Sequence, residues 1–209
     1  MSRPMPRLFV IRHGETEWSL NGRHTGRTDI PLTARGEDQI RDKAKILVGP
    51  GNVLDPVNLC TVLVSPRRRA HATFHLLFEH CREWDYGDYE GLLSSEIKAK
   101  NPTWSIWNDG CPGGESVEQM QTRVDNIIAK VREYHRQYKE EPSSTNTRDV
   151  VIVAHGHFSR VLIARWINFP LCLGTHFNVE PGGVSLLSYN HNSLSEPALN
   201  ALNLYATVT

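Results

Sequence analysis

Two histidines stand directly after short apolar runs. Leu8-Phe9-Val10-Ile11 leads into Arg12-His13-Gly14-Glu15-Thr16, and Val150-Val151-Ile152-Val153-Ala154 leads into His155-Gly156-His157. A neutral imidazole is a competent nucleophile toward phosphorus, and a covalent intermediate divides one difficult transfer into two easier ones. A phosphoryl group in transfer spreads negative charge over its equatorial oxygens, so fixed cationic donors must surround it. Arg12 adjoins His13, and Ser65-Pro66-Arg67-Arg68-Arg69 follows a third apolar run, Cys60-Thr61-Val62-Leu63-Val64. Guanidinium forks and the amides at a helix start both suit phosphate. The leaving alkoxide needs a proton. Glu83, in Arg82-Glu83-Trp84-Asp85-Tyr86-Gly87, is the candidate acid, and desolvation among aromatic rings is expected to raise its pKa. Arg12, His13, Arg69, Glu83 and His155 therefore form the candidate catalytic set. Singly, each has a plain structural explanation; their occurrence together in this order favours chemistry. His155 and His157 alone could suggest a metal, but no carboxylate or cysteine stands at ligand spacing beside them, so no metal ligands are assigned.

The elements that must carry these residues are strands and helices in alternation. The apolar runs at 8–11, 60–64 and 150–154 are continuous rather than alternating, the pattern of strands buried on both faces. Residues 183–189 form a fourth strand and 202–208 a weaker fifth. A helix runs from an N-cap at Thr33 to about Val48, with Glu37 in its first turn. Ser65-Pro66-Arg67 opens a second helix, with proline at a first-turn position. Residues 116–138 are amphipathic, with Val117, Met120, Val124, Ile127, Ile128, Val131 and Tyr134 on one stripe. Residues 158–167 form a shorter apolar helix, and 140–148 read as an exposed loop. This alternation predicts a three-layer α/β/α sandwich with a mostly parallel central sheet, as one domain spanning residues 1–209. In such sheets ligands bind just beyond the carboxyl ends of the strands, where His13 and His155 both fall.

Composition narrows the partners. Lysine plus arginine is 23 and aspartate plus glutamate is 23, so the chain is formally neutral and carries no global field for nucleic acid or membrane. An anion site must be built locally. No apolar run reaches the roughly 18–20 residues of a membrane span, and the N-terminus lacks the apolar stretch of a signal peptide. The four cysteines include no CxxC pair. Cys60 and Cys172, in apolar surroundings, are expected to be buried thiols. A reducing, cytoplasmic location fits better than a disulfide framework.

These residues together resemble the histidine phosphatase superfamily, the phosphoglycerate-mutase-like group, over most of the chain. The likeness rests on Arg12-His13-Gly14-Glu15-Thr16; Thr25-Gly26 with Asp29, Pro31-Leu32-Thr33 and Gly36; Ser65-Pro66 with Arg69-Ala70; Glu83 with Gly87; Pro112-Gly113-Gly114-Glu115-Ser116; and His155-Gly156, in family order. It implies that His13 is the phosphorylated nucleophile, held by a backbone carbonyl at one ring nitrogen. It implies further that Arg12, Arg69 and His155 complete the phosphate pocket, and that Glu83 donates the proton and later activates water, with no cofactor. The segments 82–91 and 104–111 look most like fungal sugar-bisphosphatases of this group. That likeness implies substrate contacts from His24, Thr25, Trp84, Asp85, Tyr86 and Arg160. The implied activity is metal-independent hydrolysis of a small phosphate ester, a sugar bisphosphate foremost. A phosphoglycerate mutase or a phosphoprotein-binding regulator are the alternatives, and the oligomeric state stays open. Ser19 and His157 stand where mutases carry asparagine, and the paired arginines of mutases have no match. Hydrolysis is therefore favoured, because a mutase must hold and reorient its intermediate away from water.

The spacing from Arg69 to Glu83 is short. A helix continuing to Glu79 would carry the chain roughly 15 Å from the pocket at about 1.5 Å per residue. Only His80, Cys81 and Arg82 remain to return it, and three residues span at most about 10 Å. A segment is therefore expected to be missing between His80 and Glu83, with a short, bent helix as the alternative.

Overall fold

The computed structural model describes residues 3–73, 83–141 and 147–205. Five strands form one sheet: β1 (Leu8–Arg12), β2 (Leu59–Val64), β3 (Asp149–Ala154), β4 (Val184–Tyr189) and β5 (Pro197–Leu204), in the order β2-β3-β1-β4-β5. β1 and β2 both pair parallel to β3, whereas β4 runs antiparallel to β1 and to β5. Four strands thus point the same way, and β4 is the exception.

The helices in chain order are α1 (Glu17–Asn21), α2 (Ala34–Leu47), α3 (Arg68–Thr73), α4 (Ser94–Lys100), α5 (Ile106–Asp109), α6 (Val117–Glu140) and α7 (Gly156–Trp166). Thr33 caps α2 by accepting from Gly36 N, and Ser116 with Gln119 forms a reciprocal capping box on α6. Successive side chains of a strand face opposite sides, and the sheet uses both. Leu8, Val10, Val150 and Ile152 pack with Ile127 and Val131 of α6 and Phe158 and Val161 of α7. Phe9, Ile11, Val151 and Val153 pack with Leu47 of α2 and Ala70 of α3. This is the expected three-layer α/β/α sandwich, and the two-sided core explains why these strands read as unbroken apolar runs.

Several element boundaries differ from expectation. β5 begins at Pro197, five residues before the expected strand, and residues 206–209 lie outside the described set. Its residues are half-buried and interrupted by register shifts against β4, so its periodicity is weak. α3 starts at Arg68 rather than at the Ser65-Pro66-Arg67 turn, and α7 starts at Gly156. α6 extends to Glu140, and most of the expected 140–148 loop lies outside the described residues. Cys60 and Cys172 are exposed and free, not buried; among the described cysteines Cys111 is the buried one. β2 is an edge strand with a register shift between Leu59 and Thr61, which turns Cys60 outward. Cys172 lies on a surface 3-10 turn, Leu171–His176. The break expected between His80 and Glu83 falls outside the described residues.

One non-helical crossing positions the site. The segment 83–87 passes against 112–115, with Glu115 N donating to Asp85 O at 2.9 Å and Asp88 N to Pro112 O at 2.8 Å. The approach is close enough that a Cβ on Gly87 would meet Pro112 O at 2.2 Å, and one on Gly114 would meet Asp85 O at 2.2 Å. Gly87 also has φ +51, so glycine is needed there twice over.

Candidate active site

The ends of β1, β3 and β2 are tied together. His13 N donates to Ala154 O and Ser65 N to Val153 O, each at 3.0 Å. Because Arg12 pairs with Ala154, the next residues leave the sheet side by side. The His13 and His155 rings lie 5.1 Å apart, edge to face.

Hydrogen bonds fix the protons on both rings. His13 Nδ1 is 2.7 Å from its neighbour's carbonyl, Gly14 O, which can only accept. Nδ1 therefore carries the hydrogen and Nε2 keeps its lone pair, the tautomer a nucleophile requires. Burial chiefly, then the positive charges of Arg12 and Arg69, push the His13 pKa well below 6.5 and keep the ring neutral. His155 Nδ1 accepts from Arg69 Nε at 3.2 Å, so its hydrogen sits on Nε2 and points to Ser65 Oγ at 2.6 Å. Burial and the same cationic neighbours hold His155 well below 6.5 too.

The two arginines differ. Arg12 faces the cleft, and its guanidinium has one protein tether, Nη1 to Val179 O at 2.7 Å. Its Nε is buried and has no hydrogen-bond partner among the described residues. Arg69 is fully buried, and Nη1 and Nη2 bind the carbonyls of Thr28 at 2.9 Å and Thr25 at 2.8 Å. Arg69 and His155 are thus both fully buried, with the His155 ring beside that of His13. Arg69 contributes field, orients His155 and fastens the 25–28 loop.

Glu83 reaches the site from the crossing segment. Its carboxylate accepts from His157 N at 3.0 Å and Phe158 N at 2.7 Å, the first turn of α7, and from Trp84 N at 2.8 Å. Backbone donors thus hold a carboxylate that also neighbours the Tyr86 phenol. A Cβ on Gly156 would lie 3.6 Å from Arg12 Cζ and 3.7 Å from Glu83 Oε2, so the two charged groups flank this glycine. His13, Arg12 and Glu83 surround one space.

That space is a cleft of ≈ 360 Å³ whose lining includes Arg12, His13, Glu83, Arg23, His24, Thr25, Tyr86, His157 and Arg160. Of the expected substrate contacts, His24, Thr25, Tyr86 and Arg160 are there. Trp84 and Asp85 are not. Trp84 is fully buried and donates from Nε1 to Glu115 O at 2.9 Å, and Asp85 accepts from Arg27 Nε at 2.9 Å. Arg160 stacks over Trp107, 5.0 Å from its ring centre, and donates to Thr175 O at 2.7 Å. His157 stacks on His24 at 5.9 Å, and its Nδ1 is 2.8 Å from Tyr86 Oη. Burial, then the Glu83 charge, push Tyr86 well above 10, so it stays a neutral phenol. Trp18, Asn178, Val179 and Glu180 also line the cleft and had no motif to mark them. The turn at Pro181-Gly182-Gly183 was the available signal. Its place beside His13 follows from β4 running antiparallel to β1, which sequence pattern alone does not reveal.

Comparison with known proteins gives the family and the fold. A sequence model of the histidine phosphatase superfamily (branch 1) matches residues 8–202. An acid phosphatase of Mycobacterium tuberculosis is 39% identical over 192 residues, covering 88% of this chain and 87% of that protein. The sedoheptulose 1,7-bisphosphatase of Saccharomyces cerevisiae is 31% identical over 250 residues, covering 93% and 91%. That alignment is longer than this 209-residue chain, so the yeast protein carries segments without a counterpart here. A solved structure of an open reading frame from Mycobacterium tuberculosis superposes with a TM-score of 0.74 at 33% identity, covering 95% of this chain and 97% of that one. Phosphoglycerate mutases are among the further relatives.

Proposed function

Since the chain belongs to the histidine phosphatase superfamily and is a phosphatase, we propose that it hydrolyses a small phosphate monoester through a phosphorylated His13. The observation that carries this is the locked tautomer of a cleft-lining residue: Nδ1 is held at 2.7 Å by Gly14 O, and Nε2 has no hydrogen-bond partner among the described residues. His13 Nε2 attacks phosphorus, the P–O ester bond breaks, and Glu83 gives its proton to the leaving alkoxide. Glu83 then takes a proton from water as the hydroxyl oxygen attacks phosphorus. The N–P bond breaks, inorganic phosphate leaves and His13 is restored. Arg12, which lines the cleft beside His13, offers its guanidinium charge to the phosphoryl oxygens, where a preorganised charge is most effective.

Positive charge in this scheme comes from side chains, so activity is expected to persist in EDTA; loss restored only by added divalent metal would count against it. Quenching the working enzyme with labelled substrate should trap an acid-labile, base-stable phosphohistidine, and His13→Ala should fold but not turn over. Label on another residue, or substantial activity in that variant, would defeat the assignment.

A sugar bisphosphate such as sedoheptulose 1,7-bisphosphate is the favoured substrate class. The yeast relative bears that activity in its name, and Arg160, Arg23 and His24 supply donors along the cleft for a second anion. Binding energy at a remote phosphate can be expressed in the rate. Arg160→Ala should lower kcat/KM on a sugar bisphosphate by about 10–100-fold, or ~1.4–2.7 kcal/mol, and change aryl phosphate hydrolysis much less. Equal effects on both substrates would remove the case for a bisphosphate. The exposed thiols of Cys60 and Cys172 support a reducing, cytoplasmic setting.

A further inference from the structure

The Arg12 guanidinium is held by one carbonyl, Val179 O, so its aim depends on whatever fixes the loop 178–183. Part of that loop is tied to β1 itself: Gly182 N donates to His13 O at 3.0 Å, and Arg12 N donates to Gly183 O at 3.2 Å. The segment carrying Val179 is gripped from elsewhere. The side-chain amide of Asn203, on β5, donates from Nδ2 to Asn178 O at 2.9 Å and accepts Glu180 N at Oδ1, also at 2.9 Å. The two bonds bracket Val179. Asn203 has φ +56, a left-handed conformation that asparagine tolerates better than other residues with a side chain. In regular extended backbone the amide would point along the face of the strand. A Cβ on Gly183 would meet Asn203 Oδ1 at 2.8 Å, so this glycine leaves room for the grip.

We propose that Asn203 is a positioning residue for phosphoryl transfer: it clamps the 178–180 backbone and thereby aims Arg12 at the reacting phosphoryl group. Asn203 lies one residue beyond the stretch matched by the family model, so the role is not transferred from it. The inference rests on Arg12 serving that group, as proposed above.

Asn203→Gly tests it, because glycine accepts the positive φ and removes only the amide. The melting temperature should stay near that of the wild type while kcat on p-nitrophenyl phosphate falls roughly tenfold, as expected for a misaimed charge. In an Arg12→Ala background the same substitution should add little, the non-additivity of two groups acting as one. Asn203→Asp, which keeps the acceptor for Glu180 N, should retain more activity than Asn203→Gly. Wild-type kcat in Asn203→Gly, or an equal loss with and without Arg12, would overturn the clamp. A fully active Arg12→Ala enzyme would instead overturn the role of Arg12, a separate failure visible in the single variant.

Discussion

Glu83 shows how far one side chain's role depends on its neighbours. Its oxygens are addressed by three backbone N–H groups, two of them from the start of α7, which fix its place. Glu83→Gln should keep this geometry and remove proton transfer, lowering kcat on alkyl phosphates by about 10²–10⁴-fold. A p-nitrophenyl ester, whose leaving group needs no proton, should lose far less in the first step; parallel losses on both esters would argue that Glu83 only shapes the site. Arg12, His13 and His155 could be placed from sequence because the apolar runs before them mark strand ends, whereas Glu83 lies on a segment that is neither helix nor strand. Trp84 and Asp85 were misassigned because consecutive residues of an extended segment point in different directions. Glu83 and Tyr86 reach the cleft, while Trp84 enters the core and Asp85 turns to Arg27. A run of neighbours cannot all line one wall.

Among the elements, the crossing of 83–87 over 112–115 matters most, because it delivers the carboxylate without a helix or strand. Gly87→Ala would place a methyl group at 2.2 Å from Pro112 O in a left-handed backbone. It should cost about 2–4 kcal/mol in urea unfolding, combining strain with a steric clash, and lower kcat as Glu83 is displaced. Unchanged stability would mean that the crossing is looser than its contacts indicate. β1, β2 and β3 could be read from sequence because burial on both faces leaves continuous apolar runs. β5 could not, since its residues are half-buried and its register shifts twice against β4. β2 also misled at one point. Its apolar run implied full burial, yet an edge strand has room to turn Cys60 to solvent.

At the scale of the whole molecule, buried neutral histidines tie stability to pH. Burial is the first cause that lowers His13, His155 and His157 well below 6.5, and it brings His135 down to about 3. Below about pH 6.5 the unfolded chain binds protons that these native sites refuse, so stability is complete above that pH and is lost as pH falls. Each such histidine contributes a slope of up to about 1.4 kcal/mol per pH unit. His191, raised by its exposed partner Glu196, works in the opposite direction. The melting temperature should therefore fall steadily between pH 7 and 5, and a flat profile would show that these rings are protonated in the native state. The sheet order also has a consequence for synthesis. β1 sits between β3 and β4, and Leu8 pairs with Val150 and Leu187. At roughly 5–20 residues per second, about 7–30 s separate translation of Leu8 from that of Val150. Pairings this distant also raise contact order and slow folding. Of the five strands, the one that ends at His13 is thus translated first and waits longest for its partners, its apolar residues unpaired in the meantime.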